Sequence, residues 1–309
     1  MKLDSTVAID DLVASAEGAE ALATTVVRLA GLISGGQADI KQIVEVVSYD
    51  QALTADLLRR ANSAADGGST PITTVRNAVV RLGTSTLLSM AMAATLSGRM
   101  KSAIPAYGLA EGELWRRSVA ASITADAIRA RAGVDVPGEA STAALLHDFG
   151  KVVISRHFGP QLFEMLSRAA EREGMSILEA ERAVMGVDHA EVGGLVVQRW
   201  KLPLSIVAAV SGHHSTEPGR PPMSAAVSLA HAATDDVLDD MPDDGLADGL
   251  DDGGSLSPRV VDSHAQVLAD LGLSAEDYGL LVEDARVRYA AVNDTYSGGS
   301  SRLPSPRRH

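Results

Sequence analysis

The stretch Ala143-Ala144-Leu145-Leu146-His147-Asp148-Phe149-Gly150-Lys151 decides how this chain is read. An apolar helical run delivers an imidazole and a carboxylate side by side. Nitrogen and oxygen donors of that kind suit Zn, Fe, Mn or Mg, according to what else converges. A lone His-Asp pair carries little weight, so the reading turns on whether more ligands surround it. His189 opens the segment His189-Ala190-Glu191-Val192-Gly193-Gly194, His213 and His214 close the segment that begins at Pro203, and His231 ends Val227-Ser228-Leu229-Ala230-His231. Single residues on facing helices are how a bundle assembles a metal site in its core.

The rest of the chain supports such a bundle. It has 309 residues, 46% hydrophobic and only 3% aromatic, and is rich in Ala, Leu and Val, a composition that favours packed helices. Helical spacing is found over 10–34, where Leu22, Val26, Leu29 and Ile33 share a face, and over 40–47. Asp50 is placed to cap a helix over 51–64, Pro71 to open the next, and 84–97 reads as a buried helix. After a connector containing Pro105, helices are expected over 111–132, 139–157, 160–173, 176–185, 188–199, 203–214, 222–238, 257–271 and 275–292. Period-two alternation is missing, so the expected fold is all-α. Trp115 and Trp200 lie on apolar faces and read as core anchors, whereas His157 and His264 stand apart as surface residues.

Composition excludes several classes. Without cysteine there are no disulfides, thiolate metal sites or cysteine nucleophiles. No apolar stretch reaches the roughly 18 uncharged residues that span a bilayer. The start Met1-Lys2-Leu3-Asp4 lacks a signal-peptide core, so a cytoplasmic location away from the membrane is expected. Of the net charge of −13, nine aspartates between Asp235 and Asp252 supply −9, and the remainder carries about −4. No basic stripe with stacking aromatics marks a nucleic-acid surface. The acidic segment lacks the ordered Asp spacing and distal Glu of a calcium loop and reads as solvated chain.

In order, Ile43-Val44-Glu45-Val46-Val47-Ser48-Tyr49-Asp50, Leu57-Leu58-Arg59-Arg60-Ala61-Asn62-Ser63-Ala64 and Ile72-Thr73-Thr74-Val75-Arg76-Asn77-Ala78-Val79-Val80-Arg81-Leu82-Gly83 precede Leu114-Trp115-Arg116-Arg117-Ser118 and the His147-Asp148 block. Val192-Gly193-Gly194, Trp200-Lys201-Leu202-Pro203 and Gly212-His213-His214 follow. This series resembles the HD superfamily of metal-dependent phosphohydrolases, and more closely its HDOD branch, the HD-related output domain, over residues 20–235. The resemblance implies a helical bundle of two subdomains with a degenerate HD-like core. Expected boundaries are an extension over 1–19, an N-terminal helical half over 20–104, an HD-like half over 105–235, an acidic Asp/Gly-rich loop over 236–256, C-terminal helices over 257–293 and a disordered tail over 294–309.

The resemblance also implies where the chemistry is altered. The first metal-binding histidine of the hydrolases falls on Arg117, whose guanidinium cannot coordinate a cation and would repel one. The late aspartate ligand falls on His231, with Asp235 as the neighbouring alternative. Arg117, His147, Asp148, His189, His213, His214 and His231 therefore form a degenerate cluster, in which Asp148 is expected to pair with Arg117. HDOD domains are regarded as signalling or regulatory modules. The implied function is thus non-catalytic, with a signalling protein partner, or a nucleotide second messenger, bound between the two helical halves and no metal cofactor. The alternative is a phosphohydrolase holding Fe, Mn or Zn through His147, Asp148, His189 and His213. The segment after His214 runs Ser215-Thr216-Glu217-Pro218-Gly219-Arg220 without a Gly-Tyr-Pro motif, so cyclic di-GMP hydrolysis is not expected.

Overall fold

The computed structural model describes residues 24–34, 39–63, 71–238 and 257–296. The expected N-terminal extension, the acidic loop beyond residue 238 and the tail beyond residue 296 lie outside the described residues. Among those described there is no strand, and the fold is all-α as expected.

Five helices build the N-terminal half: α1 (Thr24–Ser34), α2 (Ile40–Ser48), α3 (Gln51–Ser63), α4 (Val75–Leu82) and α5 (Thr84–Met100). Their apolar stripes bury Val26, Leu29, Ile43, Val47, Leu57 and Val79 in one core. Asp50 caps α3 as expected, accepting from the Leu53 N–H at 3.0 Å. Pro71, by contrast, does not open α4. The Asn62 side chain bonds both the N–H and the carbonyl of Ile72, at 2.8 and 2.9 Å, which pins that residue outside the helix. The helix starts only at Val75, capped by Thr74. Gly83, at φ 83° and ψ 160°, then turns the chain sharply between α4 and α5, in a region that only glycine enters without strain.

The second half follows a short 3₁₀ turn, Pro105–Tyr107. Helix α6 (Glu113–Arg131) packs against α7 (Ala140–Leu146), α13 (Pro222–Ala232) and α14 (Thr234–Leu238). Between α7 and α13 run α8 (Phe149–Phe158), α9 (Gln161–Glu173), α10 (Ile177–Met185), α11 (His189–Arg199) and α12 (Leu204–Ser211). Trp115 and Trp200 are buried, and Trp200 packs on Phe149 with ring centroids 5.0 Å apart. Three last helices, α15 (Ser257–Ser263), α16 (Ala265–Asp270) and α17 (Ala275–Tyr296), close the bundle. Helix α17 lies along α6 with Arg131 and Asp284 paired at 3.1 Å. It also ties down the start of the acidic run: Tyr278 donates its hydroxyl to the buried Asp236 carboxylate, and Arg286 donates to the Asp236 carbonyl. No single helix among the described residues is long and apolar enough to cross a membrane.

Two expected helices are interrupted at the residues of interest. The run over 139–157 breaks at His147-Asp148 into α7 and α8, and the run over 203–214 ends at Ser211, leaving His213 and His214 in the turn beyond.

Candidate functional site

The break at residues 147–148 frees the two donors. Asp148 occupies the N-cap position of α8, yet its carboxylate makes no capping bond there. It turns instead into the bundle, where it is 2% exposed. His147 donates from Nδ1 to the Ala144 carbonyl at 2.6 Å, which aims Nε2 inward. His213 repeats this arrangement, donating from Nδ1 to the Val210 carbonyl at 2.7 Å. A backbone carbonyl that fixes one ring nitrogen and so orients the other is the usual outer support of a metal-binding histidine.

Glycines set how closely these elements approach. A Cβ on Gly150 would lie 1.9 Å from the His189 carbonyl oxygen and 2.8 Å from the Gly193 nitrogen. A Cβ on Gly194 would meet the Ser211 Cβ at 2.6 Å. Helices α8, α11 and α12 therefore pack backbone against backbone, which brings His147-Asp148, His189 and His213 into one cluster. His189 stands at the first position of α11, behind a capping box made by Asp188 and Glu191.

The six predicted histidine and aspartate positions converge. His147, Asp148, His213 and His231 each bring one donor atom within 4.8 Å of the others, and so do Asp148, His189, His213 and His214. His231 Nδ1 lies 3.1 Å from His147 Nε2, and His214 Nε2 lies 2.9 Å from His189 Nε2. Of the two positions considered for the late aspartate ligand, His231 joins the cluster and Asp235 does not.

Arg117 is the exception. It does not pair with Asp148: its Nη1 lies 2.8 Å from Asp235 and its Nε 3.9 Å from Glu113. Asp235 sits one turn past His231 and draws the guanidinium to the half-exposed edge. The cation beside Asp148 is Lys151, at 3.1 Å and 4% exposed. Burial alone would raise the Asp148 pKa, but the His147 ring and the Lys151 ammonium hold it well below the usual carboxylate range.

A second buried carboxylate completes the site. Glu181 accepts from the Tyr107 hydroxyl at 2.5 Å, from the His189 backbone N–H at 3.0 Å and from His189 Nδ1 at 2.8 Å. Burial pushes His189 down, yet the Glu181 charge outweighs it and lifts the imidazole to about 10. His189 is thus protonated at neutral pH, donating to Glu181 from Nδ1, while its Nε2 lies 2.9 Å from His214 Nε2 and 3.2 Å from Asp148 Oδ1. Burial also dominates at His213, pushing it down to about 4, so its Nε2 is a bare acceptor. That atom makes no hydrogen bond and lies 3.6 Å from Asp148 Oδ1, which itself faces the His189 ring at 3.2 Å. A bare imidazole acceptor in a dry interior is an arrangement that a cation would satisfy.

The HDOD domain family model matches residues 20–216. The chain belongs to the HDOD family. An uncharacterized protein of Treponema pallidum (strain Nichols) is 26% identical to it over 184 residues, which cover 59% of this chain and 35% of that relative. The chain thus spans about a third of the length of this relative. Among solved structures, an HDOD domain protein with unknown function from Geobacter sulfurreducens superposes with a TM-score of 0.68 at 23% identity, over 93% of this chain and 97% of the other. A "Putative phosphohydrolase" from Shewanella amazonensis SB2B gives 0.63 at 24% identity, covering 94% and 96%. A "Putative signal transduction protein" from Marinobacter aquaeolei VT8 gives 0.65 at 20% identity, covering 96% and 66%. These likenesses concern the HDOD fold.

Sequence reasoning missed three members of this HDOD site: Lys151, Glu181 and Tyr107. Lys151 stood in the decisive stretch, one turn after Asp148. Glu181 left a fainter trace, as a charged residue between Ile177 and Met185 at intervals of four on the buried side of α10. Tyr107 had no local signal, because its hydroxyl acts across 74 residues of chain.

Proposed function

We propose that this HDOD chain is a non-catalytic regulatory module of bacterial signal transduction, cytoplasmic, that binds a small signalling ligand or a protein partner through its two helical halves. The observation that carries the reading is the charge balance of the degenerate centre. Asp148 and Glu181 are neutralised by Lys151 and protonated His189, both supplied by the chain. Buried charges persist when paired in this way, and these need no divalent ion to do so. At the position where the resemblance implies a histidine ligand, Arg117 is committed to Asp235 and Glu113.

A second reading, metal-dependent phosphohydrolysis, is favoured by the unsatisfied Nε2 acceptor of His213. His147, Asp148, His213 and His231 are the residues that would hold an ion. Bound there, it would supply Lewis-acid polarisation and a hydroxide-like water. Within that reading the chain's own residues orient His147 and His213 through backbone carbonyls and keep Asp148 ionised.

Metal analysis of protein purified without chelator, combined with release of nitrophenol from bis-p-nitrophenyl phosphate, separates the two. The regulatory reading expects substoichiometric metal and no turnover above that of a His147→Ala, Asp148→Ala variant. Stoichiometric Fe, Mn or Zn, together with turnover that the variant loses, would overturn it.

A further inference from the structure

A charge contrast sets helix α4 against the Asp-rich segment that follows α14. Between Asp66 and Glu111 the chain has no acidic residue but four basic ones, Arg76, Arg81, Arg99 and Lys101. In a protein of net charge −13 this makes the N-terminal half a local positive region. Helix α4 turns Ala78 and Val79 into the core. Its outward face carries Arg76, Asn77, Val80 and Arg81, all exposed. Val80, between the two arginines, is 67% exposed, and Tyr49, at the end of the neighbouring α2, is 79% exposed. A single exposed valine is ordinary on a surface. An apolar centre flanked by guanidinium groups is more specific, because it complements an acidic chain that also carries apolar side chains.

Such a chain is part of the same molecule. Residues 239–252 hold seven aspartates and no basic residue, with Met241, Leu246 and Leu250 among them. The segment leaves at Leu238, the end of α14, and returns at Ser257, the start of α15. Both helices pack on α17. Asp236 is held by Tyr278 and Arg286 of α17, and six residues further on Val292 lines one small cleft together with Arg60 of α3. Six helical residues rise about 9 Å. Helix α3 packs directly on α4, which adds about 10 Å between helix axes. The 18 residues between Leu238 and Ser257 can travel about 30 Å out and back. The span to α4 is comparable with that reach.

We propose that the Asp-rich segment 239–252 docks in cis on the outward face of α4, with its aspartates beside Arg76 and Arg81 and its leucines on the exposed apolar side chains. Tethering supplies an effective concentration on the order of millimolar. A segment that binds as a free peptide with a Kd of about 100 µM is then docked roughly nine-tenths of the time. The contact consists of exposed ion pairs around a small apolar centre, so it weakens with salt. It ties the exit of the second half to the first half, and it holds whether or not the histidine cluster binds a metal.

The test is fluorescence anisotropy of a fluorescein-bearing synthetic peptide of residues 238–254, titrated with the full chain. Two forms of the chain are compared, the native one and an uncharged form in which every aspartate from 239 to 252 is changed to asparagine. The uncharged form should bind the peptide. The native chain, whose own segment competes for α4, should bind it about tenfold more weakly. In the uncharged form, Arg76→Glu and Val80→Asp should each weaken binding about fivefold or more, as should raising NaCl from about 50 to about 300 mM. Leu204→Asp, at an exposed leucine of the second half, should leave binding unchanged. Helical circular dichroism of each variant checks that it folds. No binding to the uncharged form, equal binding by the two forms, or indifference to both α4 substitutions would each overturn the proposal. Native dimers in sedimentation that the uncharged form does not make would assign the segment to a second copy and overturn docking in cis.

Discussion

Glu181→Gln offers the sharpest test of the charge arrangement in the core. In the native protein the Glu181 carboxylate accepts from the Tyr107 hydroxyl and from two nitrogens of His189. Glutamine keeps the shape but replaces one acceptor with an amide that only donates, leaving a buried donor facing it. That mismatch, with loss of the ion pair, costs about 3–5 kcal/mol at neutral pH. The pH dependence is more telling. His189 is raised from 6.5 to about 10 by Glu181. A raised imidazole contributes stability that is fully present below about pH 6.5 and is lost as pH climbs through the folded value. Between those limits the loss is about 1.4 kcal/mol per pH unit. Without Glu181 the largest influence raising His189 is gone, and the variant should forfeit little over the same range. The stability gap between native chain and variant should therefore close by roughly 3 kcal/mol from pH 7 to pH 9.5. Urea unfolding followed by circular dichroism, in chelator at four pH values, measures it. Parallel stability curves, with a gap constant to about 0.5 kcal/mol, would refute the reasoning, because His189 would then not be the protonated partner of Glu181.

Two further substitutions probe the packing. Gly150→Ala should destabilise by about 3 kcal/mol or more, since its Cβ would lie 1.9 Å from the His189 carbonyl oxygen, whereas Gly31→Ala, with open space around it, should be neutral or slightly stabilising; thermal unfolding of both reports the contrast. Tyr278→Phe leaves the buried Asp236 carboxylate without its hydroxyl donor and should cost about 1–3 kcal/mol, and a loss under about 0.5 kcal/mol by urea titration would show that α17 is not anchored there.

Much of the fold was legible in local pattern. Helix positions followed from apolar spacing, and the Asp50 cap fell where expected. The errors cluster where a distant partner overrides a local signal. Pro71 is a good helix opener, but Asn62 holds Ile72 outside the helix. Apolar residues continue through His147-Asp148, yet the helix breaks there because the site takes both side chains. Arg117 and Asp148 were matched on charge, while in space each has a nearer partner, Asp235 and Lys151.

Residue types and their order along the chain settled the all-α architecture, the family and the membership of the histidine–aspartate cluster, since each follows from periodicity or from blocks that keep a fixed order. Which cation neutralises Asp148, why His189 carries a proton and how Tyr107 reaches Glu181 were decided only by tertiary packing. Those outcomes depend on distances of 2.5 to 3.1 Å between side chains remote in sequence or on separate turns. Electrostatic energy in a dry interior changes steeply over such distances, and no spacing rule along the chain encodes them.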